Sequence, residues 1–254
     1  MTIGDSILLG ILQGITEFLP VSSSGHLAVA QQIMNVSQPG VNFEIALHLG
    51  TLLSIFVVLG KDIRDVLVSL KSKQTQRLIL FVIIGTVPAA IMGLSLKSEI
   101  SAASEYLPMV GVGFLVSALF LFLMRFASNI NVKMNITKTI IIGFAQAAAL
   151  FAGISRSGMT ISSARLMGIH AKEAFRFSFF LAIPAILGSG ILLLRDLSTE
   201  AAADDNILVM FVGAVAAFVV GIGALLILRR FLMSGKLHWL GFYCLAMGII
   251  SLLI

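Results

Sequence analysis

The chain has 254 residues, 58% of them hydrophobic and only 11% charged, with a formal net charge of +5. Soluble domains carry about 25% charged residues, so these values, with a mean hydropathy of +1.06, exclude an ordinary soluble fold and point to a polytopic membrane protein. The basic residues lie in short loops between apolar runs, where they read as orientation signals and headgroup contacts rather than a nucleic-acid footprint.

Residues 1–20 lack the charged region and small-residue cleavage site of a signal peptide, so a retained N-terminus is expected. A short apolar helix at about 3–18 runs into Leu19-Pro20, and a second short helix follows. Full spans are expected at about 43–60, 78–96 and 107–126. A further short apolar helix at about 139–152 then meets a turn and another short helix. Spans at about 175–195, 207–228 and 238–254 complete the chain. Six segments thus approach the ~20 residues a crossing needs, and helices satisfy their own backbone polar groups in lipid. Pro88 and Pro184 predict kinks in two of them. Gly111, Gly113, Gly221 and Gly223 read as helix-packing positions, and the lone cysteine, Cys244, as a packing residue.

Loop charge sets the orientation. Loop 61–77 carries Lys61, Arg64, Lys71, Lys73 and Arg77, loop 125–138 carries Arg125, Lys133 and Lys138, and loop 229–236 carries Arg229, Arg230 and Lys236. These belong inside. Loop 97–106, with Glu99 and Glu105, and loop 195–206, with Asp196, Glu200, Asp204 and Asp205, belong outside. The stretch 139–174 must then leave the cytoplasm and return, as a re-entrant hairpin does. By analogy residues 1–42 form a second hairpin entering from the opposite face, with both termini outside. A shift of 133 residues supports the analogy: it sets Gln13 on Gln146, Phe18 on Phe151, Ser22 on Ser155, Ser24 on Ser157 and Gly25 on Gly158. The expected fold class is therefore an all-α polytopic membrane protein. It has one domain, 1–254, with six spans and two hairpins in an inverted repeat (about 1–126 and 139–254) and a site at their junction.

Each hairpin turn carries polar groups that are costly at membrane depth. In the first, Gln13 and Glu17 share a helical face, Pro20 stops the helix, and Ser22, Ser23 and Ser24 precede Gly25 and His26. In the second, Ser155, Arg156, Ser157 and Gly158 open a helix, whose N–H groups suit an anion, phosphate above all. Arg156 adds a fork matched to phosphate oxygens. Together these are the parts of a phosphoryl-transfer site: a clamp (Arg156, Ser155, Ser157), hydroxyl nucleophile candidates (Ser22, Ser23), an imidazole and a carboxylate. His26 follows Ser23 by three residues, on the same helical face. Glu17 is placed to orient it, act as base or hold a divalent cation. A purely structural Arg156–Glu17 pair is the competing reading. Glu44 and His48 are secondary candidates, as cavity lining or metal ligands.

The run Gln13 to His26, with its Pro20-Val-Ser-Ser-Ser-Gly-His26 core, and the run Ala152-Gly-Ile-Ser-Arg156-Ser-Gly158 resemble the two motifs of the bacitracin-resistance family of undecaprenyl-diphosphate phosphatases. The stretches Phe43–Thr51 and Phe177–Gly188 are similar to that family as well. The resemblance implies a cell-membrane phosphatase that converts undecaprenyl diphosphate to the monophosphate carrier of cell-wall precursors. It also implies a site open to the outer face and a divalent cation, Mg²⁺ or Ca²⁺. By position it makes Glu17, Ser23, His26 and Arg156 the catalytic set, with Glu17 as metal ligand, Ser23 the favoured nucleophile and His26 the second choice. Gln13, Ser22, Ser24, Gly25, Ser155, Ser157 and Gly158 would bind the substrate. Homodimerisation is left open. Two departures stand out: Gln13 replaces a frequent glutamate, and Ala152 replaces the usual proline. The rival is a lipid-phosphate transporter or flippase, because opposed broken helices are also a transporter design.

Overall fold

The computed structural model describes residues 1–34, 41–127, 130–197 and 207–254, all helix and connecting turns with no strand among them. Glu200, Asp204 and Asp205, used above to set orientation, lie outside the described residues. The helices are α1 (Ile3–Phe18), α2 (Ser23–Ile33), α3 (Val41–Val58), α4 (Gly60–Val68), α5 (Lys73–Ser95), α6 (Lys97–Glu105), α7 (Leu107–Leu123), α8 (Ile136–Ala148), α9 (Arg156–Leu166), α10 (Ala171–Leu197), α11 (Ile207–Met233) and α12 (Leu240–Leu253).

Four helices, within Lys73–Ser95, Leu107–Phe126, Ala171–Ile191 and Ile207–Met233, have the length and apolar character of a membrane crossing, and α3 with α4 makes a fifth if the pair is one bent span. This is a multi-pass helical membrane protein. Outward faces match that environment. On α5, Leu80, Ile83, Val87 and Ile91 form an exposed stripe, and on α11 Leu208, Phe211, Val215 and Val219 form another; their three- and four-residue steps mark one side of a helix.

Helix α11 runs on to Met233, taking Arg229 and Arg230 of the expected loop into the helix, and the elements differ from the sequence expectation in four further places. The loop expected at 61–77 contains α4, bent 71° from α3; four charges in nine residues, Lys61, Asp62, Arg64 and Asp65, concealed it from hydropathy. The acidic loop 97–106 is the short helix α6 for the same reason. The span expected from 78 begins at Lys73, capped by Ser72 through its 3.1 Å bond from Thr75 N–H, behind a polar first turn. The sixth expected span, 238–254, is the 14-residue α12, below the ~20 residues of a usual crossing. Pro88 and Pro184 sit within continuous α5 and α10.

Helix α11 is the spine on which α1 and α3 pack. A Cβ on Gly10 would lie 2.4 Å from Gly213 O, and one on Gly50 would lie 2.3 Å from Ala214 O. Side-chain hydroxyls then reach the α11 backbone: Ser6 Oγ donates to Val209 O at 2.5 Å and Ser54 Oγ to Phe218 O at 2.8 Å. Small residues and hydroxyl bonds of this kind hold helices together where lipid removes the hydrophobic contrast. Helix α8 packs on α5, α12 on α7, and α10 against both α3 and α5. Short helix α9 is mostly buried, and α2 packs on α1 and α7. Phe18 and Phe179 meet edge to face at 5.8 Å in the central core.

Gly10→Val is expected to lower stability by about 1–3 kcal/mol, as overpacking does. Gly223→Ala, where an added Cβ meets nothing within 4 Å, is expected to leave it unchanged or raise it by up to about 1 kcal/mol. Thermal unfolding in detergent measures both.

Candidate active site

The first turn begins where Pro20 cannot continue α1. Leu19 is extended (φ −62°, ψ 143°), as a residue before proline prefers. Ser22 caps α2 in the left-handed region, φ 70°, a conformation that costs a non-glycine residue about 1–3 kcal/mol unless its surroundings hold it. Four contacts do so. Ser22 Oγ accepts from Gly25 N–H at 3.3 Å and from Gly153 N–H at 3.1 Å, and Ser22 O accepts from His26 N–H at 3.3 Å and lies 2.7 Å from His26 Nδ1. The bond from Gly153 joins the two hairpin turns.

The second turn is set by Gly153, at φ +89°, where a Cβ would stand 2.1 Å from Val110 O. Only glycine fits. Ser117 on α7 braces this turn, donating to Gly153 O at 2.9 Å and accepting from Ser155 N–H at 2.8 Å. Ser155 caps α9 by accepting from Gly158 N–H at 3.2 Å. The turns also touch directly: a Cβ on Gly25 would lie 2.9 Å from Gly153 Cα, and one on Gly158 would lie 3.3 Å from Pro20 Cβ. A shift of 133 residues carries Gly25 to Gly158 and Pro20 to Gly153, so each contact is the counterpart of the other.

Between the turns lies a cavity of about 200 Å³, lined by Glu17, Ser22, Ser23, Ser24, His48, Ser155 and Arg156 among polar groups, with Leu150, Ile154 and Ile186 among apolar ones. Glu17 is its carboxylate, and 2% of its side chain is exposed. One oxygen, Oε1, takes the ion pair from Arg156 Nη2. The other, Oε2, accepts from Ser23 Oγ at 2.6 Å and Gln13 Nε2 at 3.1 Å. Arg156 Nη1 also donates to Ala182 O at 3.3 Å. The guanidinium sits on the first turn of α9, at the positive end of that helix, so two positive features converge where an anion would be held.

The structure thus brings Gln13, Glu17, Ser23 and Arg156 into one hydrogen-bonded group, with Ser22, Ser24 and Ser155 on the cavity wall. Gln13, Gly25, His26, Ser157 and Gly158 do not line the cavity. Ser157 Oγ faces Ser155 Oγ at 3.3 Å, and the two glycines serve the contact between turns. His26 turns away: its Nε2 lies 2.6 Å from the hydroxyl of Tyr243, its ring runs parallel to that tyrosine with centroids 5.5 Å apart, and it meets Phe114 in a T-shaped contact at 5.1 Å. The imidazole that does face the cavity is His48. Its Nδ1 donates to Glu44 O at 2.9 Å, and its Nε2 stands 4.0 Å from Glu17 Oε2. Sequence spacing flagged His48 through its four-residue step from Glu44. Nothing local flagged Tyr243.

Residues 6–250 match the family model described as bacitracin resistance protein BacA. The chain belongs to the BacA family. Curated relatives carry the name undecaprenyl-diphosphatase. That of Syntrophotalea carbinolica is 39% identical over 252 residues, covering 96% of this chain and 95% of its own. That of Korarchaeum cryptofilum is 36% identical over 262 residues, covering 98% of each. That of Desulforapulum autotrophicum is 34% identical over 273 residues, covering 100% of this chain and 98% of its own. The matched residues include both polar turns and all the helices between them.

The Glu17–Arg156 pair gives a direct stability test. Arg156→Met strands a buried carboxylate and is expected to cost about 3–5 kcal/mol. The double variant Glu17→Gln/Arg156→Met is expected to be more stable than Arg156→Met alone, as read by thermal unfolding in detergent.

Proposed function

We propose that this chain is a membrane phosphatase that hydrolyses undecaprenyl diphosphate to undecaprenyl phosphate and inorganic phosphate. The observation that carries the reading is the Ser23 hydroxyl, bonded at 2.6 Å to a carboxylate whose other oxygen is paired with Arg156, inside a polar cavity between two helix N-termini. The names of the relatives support the substrate, and none of those named above is a transporter's.

The proposed topology has six crossings, α3, α5, α7, α10, α11 and α12. The hairpins α1–α2 and α8–α9 enter from opposite faces as inverted halves, about 1–126 and 139–254. Both termini lie outside the cytoplasmic membrane, and the site opens outward. Loop charge supports the orientation, and the short arms, 16 residues in α1 and 13 in α8, support re-entry rather than crossing. The reciprocal contacts of the two turns support the repeat. The prenyl tail would lie along the apolar helices and the diphosphate in the cavity.

In the reaction, Arg156 and the first N–H groups of α2 and α9 hold the phosphate oxygens and neutralise charge that builds in the transition state. Ser23 Oγ attacks the terminal phosphorus while Glu17 takes its proton. The bond to the bridging oxygen breaks as that oxygen takes the proton from Glu17, and undecaprenyl phosphate leaves. Water then attacks the phosphoserine, giving one proton to Glu17, which passes it to Ser23 Oγ as inorganic phosphate departs.

The residues present fit a hard divalent cation, though not as a closed cage. No group of three His, Cys, Asp or Glu side chains is gathered among the described residues. Glu17 is a suitable ligand, and Gln13 Oε1 is a buried oxygen without a hydrogen-bond partner, the neutral kind such cations accept beside carboxylates. Glu17, which lines the cavity, would hold the ion, with Gln13 behind it orienting that carboxylate through its 3.1 Å bond. Bound there, it would neutralise diphosphate charge.

The test is phosphate release from undecaprenyl diphosphate by purified protein in detergent with Mg²⁺ or Ca²⁺. Arg156→Ala and Ser23→Ala are each expected to lower the rate by about 10²–10³-fold, the scale of losing a transition-state contact or a nucleophile. No release by the unaltered protein would overturn the phosphatase reading. Full release by Ser23→Ala would overturn the serine mechanism.

A further inference from the structure

His26 is 5% exposed, and both of its ring nitrogens are committed. Ser22 O is a carbonyl and only accepts, so the 2.7 Å contact places the hydrogen on Nδ1. Nε2 is then the acceptor for the Tyr243 hydroxyl at 2.6 Å. The neutral ring satisfies both contacts. It is further fixed by the Tyr243 ring lying parallel to it, with the planes 2° apart, and by a T-shaped contact with Phe114. No oxygen of Glu17 and no nitrogen of Arg156 is bonded to it, and the Ser23 hydroxyl is turned to Glu17 instead.

What the ring holds is Ser22, the residue in the left-handed conformation. The Ser22 hydroxyl in turn accepts from Gly153 N–H, three residues before Arg156. A continuous chain of bonds therefore runs from α12 through Tyr243, His26 and Ser22 to the second turn. Cys244, beside Tyr243, reaches the same first turn, with Sγ 3.6 Å from Pro20 O.

We propose that Tyr243 and His26 are positioning residues. Tyr243 fixes the ring of His26, whose Nδ1–H locks Ser22 in its strained conformation, and Ser22 docks the turn that carries Arg156 against Ser23 and Glu17. This rests on the hairpin junction being the hydrolytic site, and it gives His26 a task other than proton transfer or attack on phosphorus.

The amide variants separate the possibilities, because each imitates one nitrogen. His26→Asn places an N–H near Nδ1 and keeps the bond to Ser22 O. His26→Gln reaches towards Tyr243 instead, and His26→Ala does neither. Phosphate release by His26→Asn is expected within about tenfold of the unaltered protein, roughly one hydrogen bond. His26→Ala and His26→Gln are expected to lose about 100-fold or more. Tyr243→Phe is expected to lower kcat about tenfold at unchanged KM, and to add nothing in the His26→Asn background. If His26→Asn is folded by thermal unfolding yet as inactive as His26→Ala, His26 acts on the substrate and the proposal is overturned; a Tyr243→Phe protein of full activity overturns it too. Should the His26 variants not fold, ¹⁵N shifts of the His26 ring in the unaltered protein decide. The Nδ1–H tautomer supports the proposal and the Nε2–H tautomer overturns it. Baseline release by the unaltered protein would instead defeat the phosphatase reading on which the proposal stands.

Discussion

An ionised carboxylate surrounded by apolar helices is costly unless charge and hydrogen bonds meet it on every side. Glu17 receives a guanidinium, a hydroxyl and an amide, and these donors come from three stretches of chain. Gln13 is one turn earlier on α1, Ser23 lies across the first turn, and Arg156 belongs to the other hairpin. Satisfying one carboxylate therefore fixes the angle between α1 and α2 and brings the two turns together. Two of those donors, the Arg156 cation and the Ser23 hydroxyl, are also what an anion entering the cavity would meet.

Backbone details follow from that requirement. The approach of the turns leaves no room for a side chain at Gly25, α7 leaves none at Gly153, and Ser22 adopts φ 70° between them. Strain at Ser22, beside the Ser23 hydroxyl, is tolerated because both of its oxygens are hydrogen-bonded. Farther out, the seam between α1, α3 and α11 is built from glycine contacts and serine bonds to backbone. That seam holds α1, the carrier of Glu17, against α11.

Much of this was legible in the residues themselves. Long apolar runs gave α5, α7, α10 and α11, because hydropathy averages reliably over 20 residues. The two polar turns were legible because Glu17 and Arg156 are conspicuous in apolar surroundings, and a proline or glycine marks each break. The i, i+4 step correctly set Gln13 beside Glu17. What failed were features decided by neighbours. Helices α4 and α6 carry charge enough to resemble loops. The three-residue step from Ser23 to His26 gives a shared helical face, but not what covers it. Tyr243, 217 residues away, takes the ring of His26, while His48 from α3 supplies the imidazole at the cavity. Such long-range pairings leave no local periodicity to read.

The account's central claim is that the Ser23 hydroxyl, polarised by Glu17 and held opposite Arg156, carries the phosphoryl group between diphosphate and water. The stereochemical course at phosphorus tests it most directly, using a prenyl diphosphate made chiral at its terminal phosphorus with sulfur and oxygen isotopes. Two in-line displacements, one by serine and one by water, predict net retention of configuration. Net inversion would mean a single attack by water and would contradict the account.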